Sequence, residues 1–224
     1  AATFGVGRIK GIKRPALSLP FPGISGRPTV FLDMGANADV KPDVLVQFAH
    51  MGRAYSRAIL GVEEPRVGLL CNGSEDTKGS EMALAYHAAL ESGNCGFAGN
   101  AEGTDLLAGT FDVIVADGYS GNIMLKSIEG TGKLFSVKLK EMLLHSAGTK
   151  LAALLLKGRL ADFKKMLDAN EVGGTALLGI SKPVVKAHGS ASEVGICNAV
   201  RQAMEVARSG IIDDITQNID KMRI

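Results

Sequence analysis

Cysteine is scarce here: Cys71, Cys95 and Cys197 are odd in number and widely spaced, without the pairing of a zinc ribbon or redox motif. That usage fits a reducing, cytoplasmic setting. His50, His87, His145 and His188 form no HExxH or similar grouping, so no protein-bound metal is expected, and no motif asks for a cofactor. No apolar run approaches the roughly 18 residues a membrane-spanning helix needs. Net charge is only +2, from 25 basic and 23 acidic residues, and there is no aromatic-rich basic strand, so nucleic acid is not an expected partner. The stretch GSEDTKGS at 73–80 reverses the Lys and Gly order of a Walker loop, and no GxGxxG follows a strand. Nucleoside triphosphates and dinucleotides are therefore not indicated. The chain opens AATFGVGRIKG, with neither an initiator Met nor a signal-peptide pattern, and is expected to be a piece whose first part lies elsewhere.

What is abundant is glycine. Twenty-eight glycines among 224 residues stand singly at predicted strand ends, in a chain that is 46% hydrophobic and long enough to bury a sizeable core. Short apolar runs at 29–32, 66–71, 95–98 and 113–116 read as buried strands, with a further short strand at 17–19. Helical spacing follows at 43–60, 81–90 and from 123 onward. Alternating strand and helix predicts an α/β fold, a mainly parallel sheet covered by helices. The segments 133–145 and 150–167 are expected to form a protruding helical hairpin. Beyond it, Gly173, Gly174 and Gly179 break the pattern before a short strand at 184–185 and helices at 191–208 and 213–222. The division expected is a catalytic α/β core at 1–132, the hairpin at 133–170, and a return to the core at 171–224.

The stretch DVIVADGYSGNIMLK at 112–126 organises the candidate site. Asp117 leaves a buried strand, Gly118, Ser120, Gly121 and Asn122 form a loop able to offer N–H groups, and Lys126 follows on a helix. Asp117 as a plain helix cap is the alternative. Asn37, Asn72, Asn100 and Asn122 recur beside glycines at strand exits, and Lys78 sits in the loop between the strand at 66–71 and the helix at 81–90. His188 and Gly189 follow the last strand, as site members or as a capped loop. Collected at one sheet edge, such groups bind a small oxyanion such as phosphate. The crowd of Arg8, Lys10, Lys13 and Arg14 is either a dock for an acidic partner or a solvated loop. Leu151, Leu154, Leu155 and Leu156, flanked by Lys150, Lys157, Arg159, Lys164 and Lys165, make a membrane-surface or subunit contact.

GRIKGIKRPAL, LDMGANADVKPDVLVQFA, PRVGLLCNGSEDTKGSE, DGYSGNIMLKSIEG and KAHGS, in that order, closely resemble the phosphate acyltransferases of bacterial phospholipid synthesis, the PlsX type, over essentially the whole chain. The resemblance implies the fold of isopropylmalate dehydrogenases and phosphotransacetylases. It also implies transfer of a fatty acyl group from acyl carrier protein to inorganic phosphate, giving acyl phosphate for a glycerol-3-phosphate acyltransferase downstream. A homodimer associated peripherally with the inner face of the cytoplasmic membrane is implied as well. In that scheme Lys78 and Lys126 hold phosphate. Asn72, Asn100, Asn122, Gly118, Gly121 and Gly189 line the phosphate or oxyanion site, and Asp117, with His188 as a second candidate, moves the proton. Two departures stand out: the family's N-terminal DAMGGD-like segment is expected upstream, and Thr104 replaces an expected charge. A covalent relay through Cys71 is a rival within the enzyme class, and a non-catalytic membrane scaffold for lipid-synthesis enzymes is a rival outside it.

Overall fold

In the computed structural model, which describes residues 2–167 and 173–222, the described strands form a seven-stranded sheet ordered β4-β3-β5-β2-β1-β6-β7. The strands are β1 (Ala16–Phe21), β2 (Thr29–Leu32), β3 (Val67–Leu70), β4 (Phe97–Ala101), β5 (Val113–Val115), β6 (Gly174–Leu178) and β7 (Val185–Ala187). β4, β3, β5 and β2 are mutually parallel, β1 runs antiparallel to both β2 and β6, and β7 runs antiparallel to β6. Five strands therefore share one direction, and β1 and β7 oppose it. The architecture is α/β with a mostly parallel sheet.

Both faces are covered, which is why the central strands carry unbroken apolar runs. Val30, Leu32, Val113 and Val115 pack on one side with helix α1 (Pro42–Leu60) and part of α2 (Glu81–Ser92). Phe31, Ile114, Leu106 and Phe111 pack on the other with α3 (Gly103–Ala108) and the first turns of α4 (Gly118–Leu144). α1 opens with Pro42 in its first turn and ends at Gly61 in the left-handed region, the usual asymmetry of start and stop. α7 (Glu193–Arg208) and α8 (Ile211–Gln217) close the first face near β6.

Several boundaries differ from those read in the sequence. β4 lies two residues later than 95–98, and the segment expected as a loop after it holds α3. β6 fills the glycine-rich stretch, flanked by Gly173 and Gly179 with positive φ. α4 begins at Gly118 rather than 123 and runs uninterrupted through 132/133, where a domain limit was expected. The 150–167 helix divides into α5 (Ala147–Leu155) and α6 (Lys157–Leu167). These contact α4, with Phe135 edge-on to Phe163. Among the described residues no helix is long and apolar enough to cross a membrane.

His50, half-buried on α1, meets the carbonyl of Gly93 at 3.1 Å through Nε2 and so ties α1 to the end of α2. Burial pushes its imidazole below the ordinary value of 6.5, against the raising effect of that bond. The unfolded chain thus takes up a proton near pH 6.5 that the folded protein resists, so stability is intact above that pH and declines below it. Urea unfolding between about pH 7.5 and about pH 5.5 should show a smaller stability loss in His50→Gln than in the wild type.

Candidate functional site

The carboxyl ends of β2, β5, β3 and β4 open onto one rim, the usual place for a ligand in an open α/β sheet. Asp33 leaves β2 fully buried, and its carboxylate accepts from the N–H groups of Leu17, Gly35, Ala36 and Asn37 at 2.8–3.2 Å. A fifth donor is the side-chain amide of Asn37, at 2.8 Å. That same amide also reaches the Pro15 carbonyl, so one carboxylate clamps the 33–39 loop and the start of β1 together.

The root of α4 lies against this loop. Asp117 is its N-cap, accepting from the Ser120 N–H at 2.7 Å, while the Tyr119 N–H reaches the Ala38 carbonyl at 2.9 Å. A Cβ at Gly118 would fall 2.1 Å from the Asn37 oxygen, and one at Gly121 would fall 1.9 Å from the Asp33 oxygen. Both glycines are therefore close-packing positions, and the Gly121 N–H is spent on the Asp117 carbonyl. This corrects the expected part of Gly121 as an open anion donor. Asn122 remains at the rim, its side chain packed against Gly35.

The loop after β3 is different. Among the described residues, no hydrogen bond is made by the backbone N–H groups of 72–77, whereas the Lys78 N–H bonds the Glu75 carbonyl at 3.0 Å and closes the turn. Gly73 is buried beneath the Lys78 stem, where a Cβ would meet Cγ of Lys78 at 2.9 Å. Asn72 is exposed and accepts weakly from the Cys71 thiol at 3.5 Å, and that sulfur lies under Gly79. Ser80 then caps α2, accepting from the Ala83 N–H. Six N–H groups without a protein acceptor thus share a loop with the Lys78 ammonium, which lies 3.9 Å from the Glu75 carboxylate.

Tyr86, on α2, joins the two halves of the rim. Its hydroxyl donates to the Val40 carbonyl at 2.8 Å. Burial first, and then the nearby Asp117 carboxylate, push the phenol above its usual value. The Asp117 corner and the α2 corner are thus electrostatic neighbours.

Asp117, Asn72, Lys78 and Asn122 accordingly share one rim. Asn100 lies there too but is 5% exposed, its amide engaged with His87 and with the Glu75 carbonyl. Lys126 does not join them. It stands about 12 Å along the α4 axis from Gly118, exposed and paired with Glu129 at 2.7 Å. His188 and Gly189 are also displaced. β7 runs against the parallel block, so they leave it at the opposite rim, where the exposed His188 ring bonds Ser190 at 2.8 Å. Sequence reasoning passed over Asp33, Tyr86 and His87. Only Asp33 left a signal, an acid directly at a strand exit before a Gly-Ala-Asn loop.

The exposed leucines Leu151, Leu154, Leu155 and Leu156 lie at α5, remote in the fold from the rim. Leu134, Phe135, Met142 and Leu144 of α4, the helix that α5 packs against, are exposed as well.

Residues 1–214 match the model of a family described as fatty acid synthesis protein. The chain is 47% identical over 221 residues to a phosphate acyltransferase of Geobacillus thermodenitrificans (strain NG80-2), covering 99% of this chain and 67% of that one. It is 46% identical over 222 residues to a phosphate acyltransferase of Lysinibacillus sphaericus (strain C3-41), with the same coverage of each. A phosphotransacetylase from Streptococcus pyogenes aligns over 90% of this chain and 56% of its own, at 16% identity and a TM-score of 0.49.

The rim's rigidity can be tested at its two tightest points. Asp33→Ala would leave buried N–H groups without an acceptor and should cost about 3 kcal/mol or more in urea unfolding. Gly121→Ala should cost about 1–3 kcal/mol by forcing α4 off the 33–39 loop, whereas alanine at the open position Gly130 should be neutral or stabilising.

Proposed function

This chain belongs to the fatty acid synthesis protein family, whose matched relatives are phosphate acyltransferases, and from that premise we propose that it moves a fatty acyl group from a carrier thioester to inorganic phosphate. The product is acyl phosphate for lipid synthesis. The observation that carries the placement of this chemistry is the open-amide loop 72–77 with Lys78, set at the same rim as Asp117.

The reaction asks for little covalent help from the protein. A phosphate oxygen attacks the thioester carbonyl, the carbon–sulfur bond breaks, and the proton that phosphate sheds ends on the departing sulfur. An ordinary thiol, with a pKa of about 8.5, leaves readily as thiolate. Positioning and charge stabilisation then dominate. In this reading Lys78 and the loop amides hold the phosphate, and Asn72 and Asn122 donate to the tetrahedral oxyanion, where one donor is worth roughly 3 kcal/mol. Asp117 keeps one carboxylate oxygen on Ser120 and has the other for the proton in transit.

The acyl donor in this reading is acyl carrier protein, which is acidic, and it docks on the basic loop. Pro15 and Leu17 tie that loop to the Asp33 clamp and hence to the rim. Lys13 is paired with Asp43 and Arg8 is bonded to the Lys13 carbonyl, while Lys10 and Arg14 are exposed and Lys182 lies at the adjoining turn. The leucine surface of α5 serves a second copy of the chain in a homodimer lying at the inner, cytoplasmic face of the membrane. There the acyl phosphate passes to a glycerol-3-phosphate acyltransferase.

The test uses the complete protein with long-chain acyl carrier protein, phosphate and hydroxylamine. A hydroxamate should form only when phosphate is present, and phosphate-independent or absent product would overturn the reading. Lys78→Ala should raise the phosphate KM by on the order of tenfold, and Asp117→Asn should lower kcat with little change in KM. Reversing charge at both Lys10 and Arg14 should raise the KM for the carrier and flatten its salt dependence without affecting phosphate.

A further inference from the structure

We propose that His87 is a positioning residue that holds the 72–78 loop in its anion-binding form through Asn100, a proposal that rests on reading this loop as the phosphate site. Nδ2 of Asn100 lies 2.8 Å from the Glu75 carbonyl, and Oδ1 lies 3.0 Å from Nδ1 of His87. The Glu75 oxygen can only accept, so the amide must turn its NH2 group that way, and its oxygen then faces the ring. That oxygen can only accept as well. The proton therefore sits on Nδ1 of His87, and the order of donors runs from ring to amide to loop carbonyl.

The same Glu75 carbonyl accepts the Lys78 N–H, so the turn that presents Lys78 hangs from one carbonyl held by one buried amide. Reversing the Asn100 amide would set oxygen against oxygen at Glu75, and the His87 N–H is the group that favours the correct orientation. His87 is itself well held. Its side chain is 13% exposed, and the ring stands edge-on to Phe97 of β4, with centroids 4.9 Å apart and planes at 87°. Its other nitrogen lies 3.7 Å from an Asp76 carboxylate oxygen, beyond hydrogen-bond distance, so the hold on the loop runs through Asn100. Asn100 stands between the ring and the Glu75 carbonyl, so His87 acts on the phosphate loop through the amide and not by touching the ligand.

Three substitutions in the complete protein separate this role from plain packing. His87→Asn keeps a donor near the Nδ1 position, His87→Gln shifts it toward Nε2, and His87→Phe keeps the edge-on ring and removes the donor. Two measurements are read: the phosphate KM against kcat and carrier KM, and the rate of limited tryptic cleavage after Lys78 relative to cleavage after Arg159. His87→Phe and His87→Gln should each cut several-fold faster after Lys78 and raise the phosphate KM several-fold, with kcat and carrier KM near wild type. His87→Asn should restore both. Equal behaviour of all three variants, an unchanged cleavage ratio in His87→Phe, or a uniform loss across kcat and both KM values would overturn the proposal. A wild-type protein without phosphate-dependent turnover would sink the functional reading instead, and the cleavage ratio alone would then decide whether His87 tethers the loop.

Discussion

The buried carboxylate of Asp33 is the constraint on which the rim depends. A charge taken out of water at the end of a central strand is tolerated only when hydrogen bonds replace its hydration, and here five donors do so. The gain is geometric. Those donors come from β1 and from the 33–39 loop, the Asn37 side chain included, so one oxygen pair fixes two pieces of chain at once. The loop's carbonyls then form the surface on which the first turn of α4 rests, at Gly118 and Gly121. Asp117 is placed by this stack, and through α4 so is everything beyond it.

Against that rigid corner, the β3 exit is sparsely bonded. Among the described residues its amides at 72–77 have no protein acceptor, its acids are turned outward toward Lys78 and His87, and its firm attachments are the Cys71 N–H, the Glu75 carbonyl and the Ser80 cap. The two corners have opposite designs. One gathers five donors onto a single carboxylate, and the other leaves the amides of 72–77 without a protein acceptor. Tyr86 is the piece that spans them, its ring buried and its hydroxyl fixed on Val40.

Much of the fold was legible because the central strands are buried on both faces and so read as short apolar runs between turn formers. The gathering of candidate residues at one rim was legible in part. Asp117, Asn72, Lys78 and Asn122 follow strands of the parallel block, and proximity to a strand exit was enough to place them. His188 and Gly189 were misplaced because sequence pattern reports a strand and not its direction. The short connection from β6 to β7 is of hairpin length and implies an antiparallel pair, but glycines at 173, 174 and 179 hid β6. The glycines at 118 and 121 looked like turn residues for a related reason. Their lack of a side chain serves a partner, the carbonyls of Asn37 and Asp33, that lies some 80 residues away in the chain and leaves no local trace. Lys126 was misplaced as a consequence, since a helix beginning at Gly118 carries it two turns past the rim.

α4 is held to the core over 118–128, where Met124, Leu125 and Ile128 pack on Phe31 and its neighbours, and beyond that its side chains are largely exposed. The remaining 16 residues to Leu144 form a stalk of about 24 Å. A rod fixed at one end behaves as a lever. A tilt of about 5° at its base, beside Ile128, swings the tip by roughly 2 Å. Pressure applied to the leucines at the far end is thereby geared down into displacements of tenths of an ångström at the base, about three turns along the helix from its Asp117 cap.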